Sequence, residues 1–132
     1  MPRRSTCPIA SLLDTVGDKW SLLIVRDLVF FGEKSFSDLQ NAAERMATNI
    51  LASRLERLER VGLITKRADP EDKRKKRYGL TESGRDLLPT LLEMMVWSSK
   101  HDPGVETDPH FIERIEHDRD KLIRDLQARI AR

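Results

Sequence analysis

The sequence predicts a mainly α fold with one small β-hairpin, and three stretches carry that expectation. Ala47–Val61 places Leu51, Leu55 and Leu58 at i, i+4 and i+7, so a helix there has one apolar face. Lys19–Phe31 is apolar nearly all round, as a central buried helix is. Between Leu63 and Leu80, two short runs flank Asp69-Pro70-Glu71-Asp72, which is hairpin-turn chemistry.

Length and charge set the bounds. A chain of 132 residues is expected to form one domain, with room for an appended element. No apolar run is long enough for a bilayer, so no membrane partner is expected. The start, MPRRSTCPIAS, lacks the apolar segment of an export signal, so a cytoplasmic location is expected. The single cysteine excludes an internal disulfide and a Cys-rich zinc site. The net charge of +2 is unevenly spread: Glu44–Arg77 holds 11 Lys and Arg against 6 Asp and Glu, so that stretch carries +5 and the remainder −3. A basic patch on a nearly neutral chain points to a localised anionic partner.

Taken in order, Cys7-Pro8 opens the first helix, because proline in a first turn loses no hydrogen bond. Ile9, Leu12, Leu13 and Val16 follow at helical spacing; Gly17 ends the helix and Asp18 caps the next. The second helix, Lys19–Phe31, ends at Gly32, with Trp20 read as a core anchor or a ligand-stacking ring. Ser35-Phe36-Ser37-Asp38 is a capping box that opens a short third helix through about Ala43. The turn Glu44-Arg45-Met46 leads into Ala47–Val61, completing a helix-turn-helix arrangement. Gly62 ends that helix, Leu63–Arg67 reads as a strand, and Tyr78-Gly79-Leu80 returns as its partner. Thr81 caps a fifth helix with Leu87, Leu88, Leu91, Leu92 and Met95 as its apolar stripe and a kink expected at Pro89. After a break at His101–Gly104, Asp108-Pro109 starts a last helix, with Ile115, Leu122, Leu126 and Ile130 on one stripe and Phe111 and Ile112 near its start.

The polar face of Ala47–Val61 is where chemistry is expected. Short donors and acceptors read base edges in a DNA major groove, and cations hold phosphate. Asn49 and Ser53 are the expected base contacts. Thr48 and Arg54 are read as base or phosphate contacts, with a structural ion pair as the alternative for Arg54. Arg57 and the run Lys73, Arg74, Lys75, Lys76 and Arg77 are expected on the DNA backbone or in the minor groove. Five consecutive cations repel one another unless an anion neutralises them. The hairpin that carries them, placed directly after the helix pair, makes a winged helix-turn-helix. The final stripe (Phe111, Ile112, Ile115, Leu122, Leu126 and Ile130) is expected to meet a second copy, since paired DNA half-sites require a two-fold protein, with packing on its own subunit as the alternative. The expected organisation is therefore a winged helix-turn-helix domain over 7–105 and a C-terminal dimerisation helix over 106–132.

Several blocks together resemble the HxlR-type family of bacterial winged-helix transcription regulators. They are Cys7-Pro8-Ile9, Gly17-Asp18-Lys19-Trp20, Phe36-Ser37-Asp38-Leu39, Leu51-Ala52-Ser53-Arg54-Leu55, Leu58-Glu59, Gly62-Leu63 and Leu80-Thr81-Glu82-Ser83-Gly84. The resemblance spans roughly Cys7–His101. The helix and wing pattern alone would also fit MarR-type regulators, whose wing Asp69-Pro70-Glu71-Asp72-Lys73-Arg74 looks more like. The resemblance implies a homodimer on a pseudo-palindromic operator, acting as repressor or activator. Two departures, Ala47-Thr48 where the family often has Ser-Pro and Ser35 where it often has arginine, prevent any carry-over of operator sequence. Cys7 matches a position that senses oxidants or electrophiles in some members.

The other readings are a MarR-like regulator with a small-molecule effector, and a winged-helix module that binds protein or RNA. Met94, Met95 and Trp97 are read as lining an effector cavity or as plain core and interface. An interaction module predicts apolar exposure on Ala47–Val61. An enzyme is not expected: His101, His110 and His117 lack a second ligand set or a nucleophile nearby, so no metal or cofactor is expected either.

Overall fold

A computed structural model describes residues 5–42 and 44–130. Arg3 and Arg4, close to Cys7 in sequence, and Ala43, the expected end of the third helix, lie outside the described residues.

The organising element is α2 (Ser21–Phe31), whose Ile24, Val25, Leu28 and Val29 are buried. Burying each such side chain is worth about 1.5–3 kcal/mol. Asp18 accepts from the backbone N–H groups of Trp20 and Ser21, both at 3.1 Å, so it serves the helix start as expected although the helix itself begins at Ser21. Trp20 is a partly buried ring packed on the core, with the Lys19 ammonium 4.9 Å from its centroid. Ahead of it, α1 (Pro8–Val16) is split: Val16 is buried and Leu12 packs on the core, while Ile9 and Leu13 are exposed.

The capping box forms as expected. Ser35 Oγ accepts from the Asp38 N–H and Asp38 accepts from the Ser35 N–H, both at 3.2 Å, and α3 spans Phe36–Gln40. The turn that follows puts Arg45 at φ 48°, a left-handed conformation uncommon for a side chain with a Cβ. Then α4 (Thr48–Arg60) buries Leu51, Leu55 and Leu58 and ends before Gly62, whose φ of 85° lets the chain reverse into the sheet.

The hairpin is longer than the sequence suggested. β2 (Ile64–Ala68) pairs antiparallel with β3 (Lys76–Leu80), so the cations divide between the tip, 73–75, and the returning strand, Lys76 and Arg77. A third strand, β1 (Lys34–Ser35), pairs with the outer edge of β3, giving the order β1-β3-β2. Two residues are too few to show a period, so nothing in the sequence signals β1.

The kinked helix expected after Thr81 is two helices. Thr81 Oγ1 caps α5 (Glu82–Arg85) by accepting from Gly84 N–H at 3.2 Å, and α6 (Leu88–His101) begins afresh with Pro89 in its first turn. Ending one helix before the proline costs less than bending a single one around its missing N–H. Gly84 is required by proximity: a Cβ there would lie 2.2 Å from the Leu63 carbonyl oxygen.

The last segment is likewise two helices, α7 (Pro109–His117) and α8 (Arg119–Ile130), broken at Asp118. The expectation that their apolar stripe faces a second copy is corrected here. Ile112, Ile115, Leu122 and Leu126 are buried in the core of their own chain, with Phe111 and Ile130 packed against it. The bend at Asp118 lets α7 pack on α6 and folds α8 back onto α2, so the stripe is covered within the subunit. The core is continuous from Val16 to Leu126.

Candidate nucleic-acid interface

Helix α4 presents the face expected of it. Thr48, Asn49, Ala52 and Ser53 are exposed, while the leucines opposite are buried. Its first turn has no side-chain cap, since Ala47 stands at the N-cap. Gln40 of α3 instead donates from its amide to the Thr48 hydroxyl, linking the two helices across the turn.

Two of the three arginines further along α4, Arg54 and Arg57, are engaged with the segment ahead of α2. Arg54 Nε donates to Asp18 Oδ2 at 2.8 Å, which is the structural ion pair weighed as its alternative. Arg57 Nη1 lies 3.5 Å from Asp18 Oδ1, and its Nη2 donates to the Asp14 carbonyl. One carboxylate thus caps α2 and clamps α4. Burial disfavours the Asp18 charge, but hydrogen bonds from Ser21, Arg54 and the backbone of Trp20 and Ser21 outweigh it and hold the carboxyl at about 2. The Gly17-Asp18-Lys19-Trp20 block pointed to Asp18 as a cap; its reach across 36 residues to Arg54 has no signature in sequence.

A second clamp fixes the turn ahead of α4. Arg26 of α2 makes paired hydrogen bonds to Glu44 at 2.8 and 2.7 Å, and its Nε contacts buried Asp27 at 3.0 Å. Burial pushes the Asp27 carboxyl up, whereas Arg26 pulls Glu44 down. Nothing local in the sequence marks Arg26 and Glu44, because a bidentate pair between residues 18 apart leaves no pattern.

The wing tip is set by its acids. Asp69 accepts from the Glu71 N–H at 2.8 Å, and Asp72 accepts from the Arg74 N–H at 3.1 Å and from its Nε at 3.2 Å. Lys73, Lys75 and Lys76 are exposed, and the Arg74 side chain is 92% exposed despite its pairing. Arg77 is the cation that turns away from the tip: its Nη2 donates to the Glu33 carbonyl at 3.0 Å and Nη1 sits 3.7 Å from Asp69.

A short helix, a tight turn, a helix with an exposed polar face and a basic hairpin therefore stand in sequence and in space. The HxlR-like helix-turn-helix family matches residues 15–105 of the chain. The chain belongs to that family. It is 36% identical over 88 residues to the uncharacterized HTH-type transcriptional regulator sll1512 of Synechocystis sp., an alignment covering 67% of this chain and 64% of that one. The chain thus spans slightly under two thirds of that relative. Its fold superposes on the structure of PA1607 with a TM-score of 0.70 and 34% identity, covering 80% of this chain and 73% of that chain. It also matches the redox regulator HypR in its reduced form, with a TM-score of 0.64 and 28% identity over 74% of this chain and 95% of that one. HxlR-like relatives are transcription regulators, and the winged fold here is theirs.

The other expected site residues are dispersed. Cys7, at the N-cap of α1, is a free, exposed thiol. Met94 and Met95 line a cleft of about 860 Å3 between α2, α3 and α6, together with Leu22, Phe30 and Asp27. Trp97 lies outside it, exposed and tilted against the His101 ring at 5.0 Å. Among the described residues no cluster of metal-ligating side chains occurs, and no helix is long and apolar enough to cross a membrane.

Proposed function

We propose that this chain binds double-stranded DNA as a homodimer and regulates transcription from a pseudo-palindromic operator in the cytoplasm. The observation that carries the reading is the exposed Thr48-Asn49-Ser53 face of α4, held to α2 through Asp18 and followed directly by a wing with Lys73, Lys75 and Lys76 exposed. Asn49 and Ser53 are the base-reading residues, Thr48 an adjoining contact, and Lys73, Arg74, Lys75 and Lys76 the backbone contacts. Arg54 and Arg57 support α4 from the side through Asp18 and Asp14. Arg77 braces the wing at Glu33.

The two-fold partner is a second copy of the chain, and the surface for it is not the C-terminal stripe. Ile9 and Leu13 on α1, with Met94 and Trp97 on α6, are large apolar side chains left exposed. Exposed apolar side chains of that size on two helices fit a protein interface. Pairing would set two copies of α4 about 34–36 Å apart, one turn of DNA. The interaction-module alternative needs apolar exposure on α4, and its outer face is polar.

The deciding experiment selects fragments from genomic DNA with the purified protein, sequences them and titrates the tightest across salt. A two-fold-symmetric site bound with a steep salt slope is the expected result. Equal, weak binding to every fragment under both reducing and oxidising conditions would refute a sequence-specific regulator.

A further inference from the structure

The hairpin carries a second basic site that the DNA reading does not use. On one face of the sheet Thr65 opposes Gly79 and Arg67 opposes Arg77. That face floors a cavity of about 600 Å3, closed on other sides by Glu33, Arg85 of α5 and Arg129 of α8, with Leu28, Leu80 and Ile130 as its apolar wall. Four arginines and one carboxylate thus line the cavity, with Asp69 beside Arg77 as a second acid at its rim.

Glu33 engages two of the arginines. Its carboxylate accepts from Arg67 Nε at 3.0 Å and Nη2 at 2.6 Å, and lies 3.7 Å from Arg77 Nε. Among the described residues the others are oriented by backbone: Arg85 Nη1 donates to the Leu80 carbonyl and Arg129 Nη2 to the Phe30 carbonyl, both at 3.1 Å. Each bond fixes one corner of a guanidinium and leaves the rest of its donor fork for another acceptor. Gly79 keeps the floor open, because a Cβ there would stand 3.2 Å from Glu33 Oε2.

We infer that this cavity binds a small organic anion, a carboxylate or phosphate monoester. The guanidinium excess supplies the charge and the bidentate geometry for an oxyanion. The volume falls in the range of small-molecule sites and exceeds what an inorganic ion fills. Arg129 lies beyond the residues matched by the family, so the site joins the wing to a part of the chain outside that match. An anion held there bridges the wing strands to the end of α8.

The test uses the full chain without DNA, so its outcome is independent of the DNA reading. The 15N-labelled protein is titrated with benzoate and, separately, with phenyl phosphate, against sodium chloride at equal ionic strength. Saturable shifts centred on Thr65 and Gly79 amides are expected for at least one probe, and which probe saturates identifies the oxyanion. Arg129→Gln, an exposed change, and Gly79→Ala, which narrows the floor, are each expected to weaken that binding at least tenfold; Lys75→Ala is expected to leave it unchanged. Failure of both probes to saturate overturns the inference. So does equal binding by Arg129→Gln and wild type, or loss of binding in Lys75→Ala, which would place the anion on the wing tip, where DNA phosphate is expected.

Discussion

The Arg54 guanidinium and the Asp18 carboxylate meet at 2.8 Å, joining the middle of α4 to the start of α2. The same carboxylate receives the Ser21 hydroxyl at 2.5 Å and two backbone N–H groups, so the position of α4 depends on a helix cap. Replacing Asp18 with Ala removes cap and clamp together. A stability loss of about 2–3 kcal/mol is expected in denaturant titration, combining a lost N-cap with a partly buried pair. Asp18→Asn, which keeps an acceptor for the N–H groups, should recover about half. A loss under about 0.5 kcal/mol for Asp18→Ala would show that α4 is held by its leucines alone.

Acid unfolding follows from the same residue. Asp18 has its folded pKa depressed to about 2 from 3.8, so the stability it contributes is complete above about pH 4 and is lost as the pH falls towards 2. Glu33 and Glu44, lowered chiefly by Arg67 and Arg26 respectively, act in the same direction. Asp27 acts oppositely: burial raises its folded pKa, so its ionised form costs stability, and that cost is relieved as the pH falls. Wild-type stability should decline steeply between about pH 4 and about pH 2, and Asp18→Asn should flatten that slope; a parallel curve would exclude Asp18 as the titrating group.

The wing makes a quantitative demand on DNA binding. Lys75→Ala and Lys76→Ala should each reduce the slope of log K against log salt by about 0.9, uniformly across DNA sequences. Asn49→Ala should leave that slope near its original value and relax discrimination at one base position by about 1–3 kcal/mol. If both lysine variants keep the wild-type slope, the hairpin does not touch the phosphate backbone.

Two leucines separate core from interface. Leu122 is 2% exposed within its own chain, so Leu122→Ala should cost about 2–5 kcal/mol in unfolding. Leu13 is 61% exposed, so Leu13→Glu should leave the folded subunit intact while lowering dimer mass in light scattering. Should Leu13→Glu remain fully dimeric, α1 is not part of the interface.

Cys7 offers a chemical readout. It is an exposed, free thiol at the N-cap of α1. DNA release on treatment with diamide or a quinone is expected for the wild type and absent in Cys7→Ser. Equal release from both would remove the thiol from any sensing role.

Local pattern and tertiary assembly divide the protein between them. The spacing of Leu51, Leu55 and Leu58, the Ser35–Asp38 box and the acids of the wing turn each act within a few residues, so the winged helix-turn-helix was legible in one dimension. The apolar stripe from Ile112 to Leu126 was equally legible, but periodicity states only that a face must be covered, not by what. A bend at Asp118 lets α6 cover its α7 half and α2 its α8 half within the subunit. The pairs Asp18–Arg54, Arg26–Glu44 and Glu33–Arg67 join residues 36, 18 and 34 apart, and the arginines of the hairpin cavity come from four separate elements. Charge attraction and burial act through space without regard to separation along the chain, so only the folded structure brings these groups together.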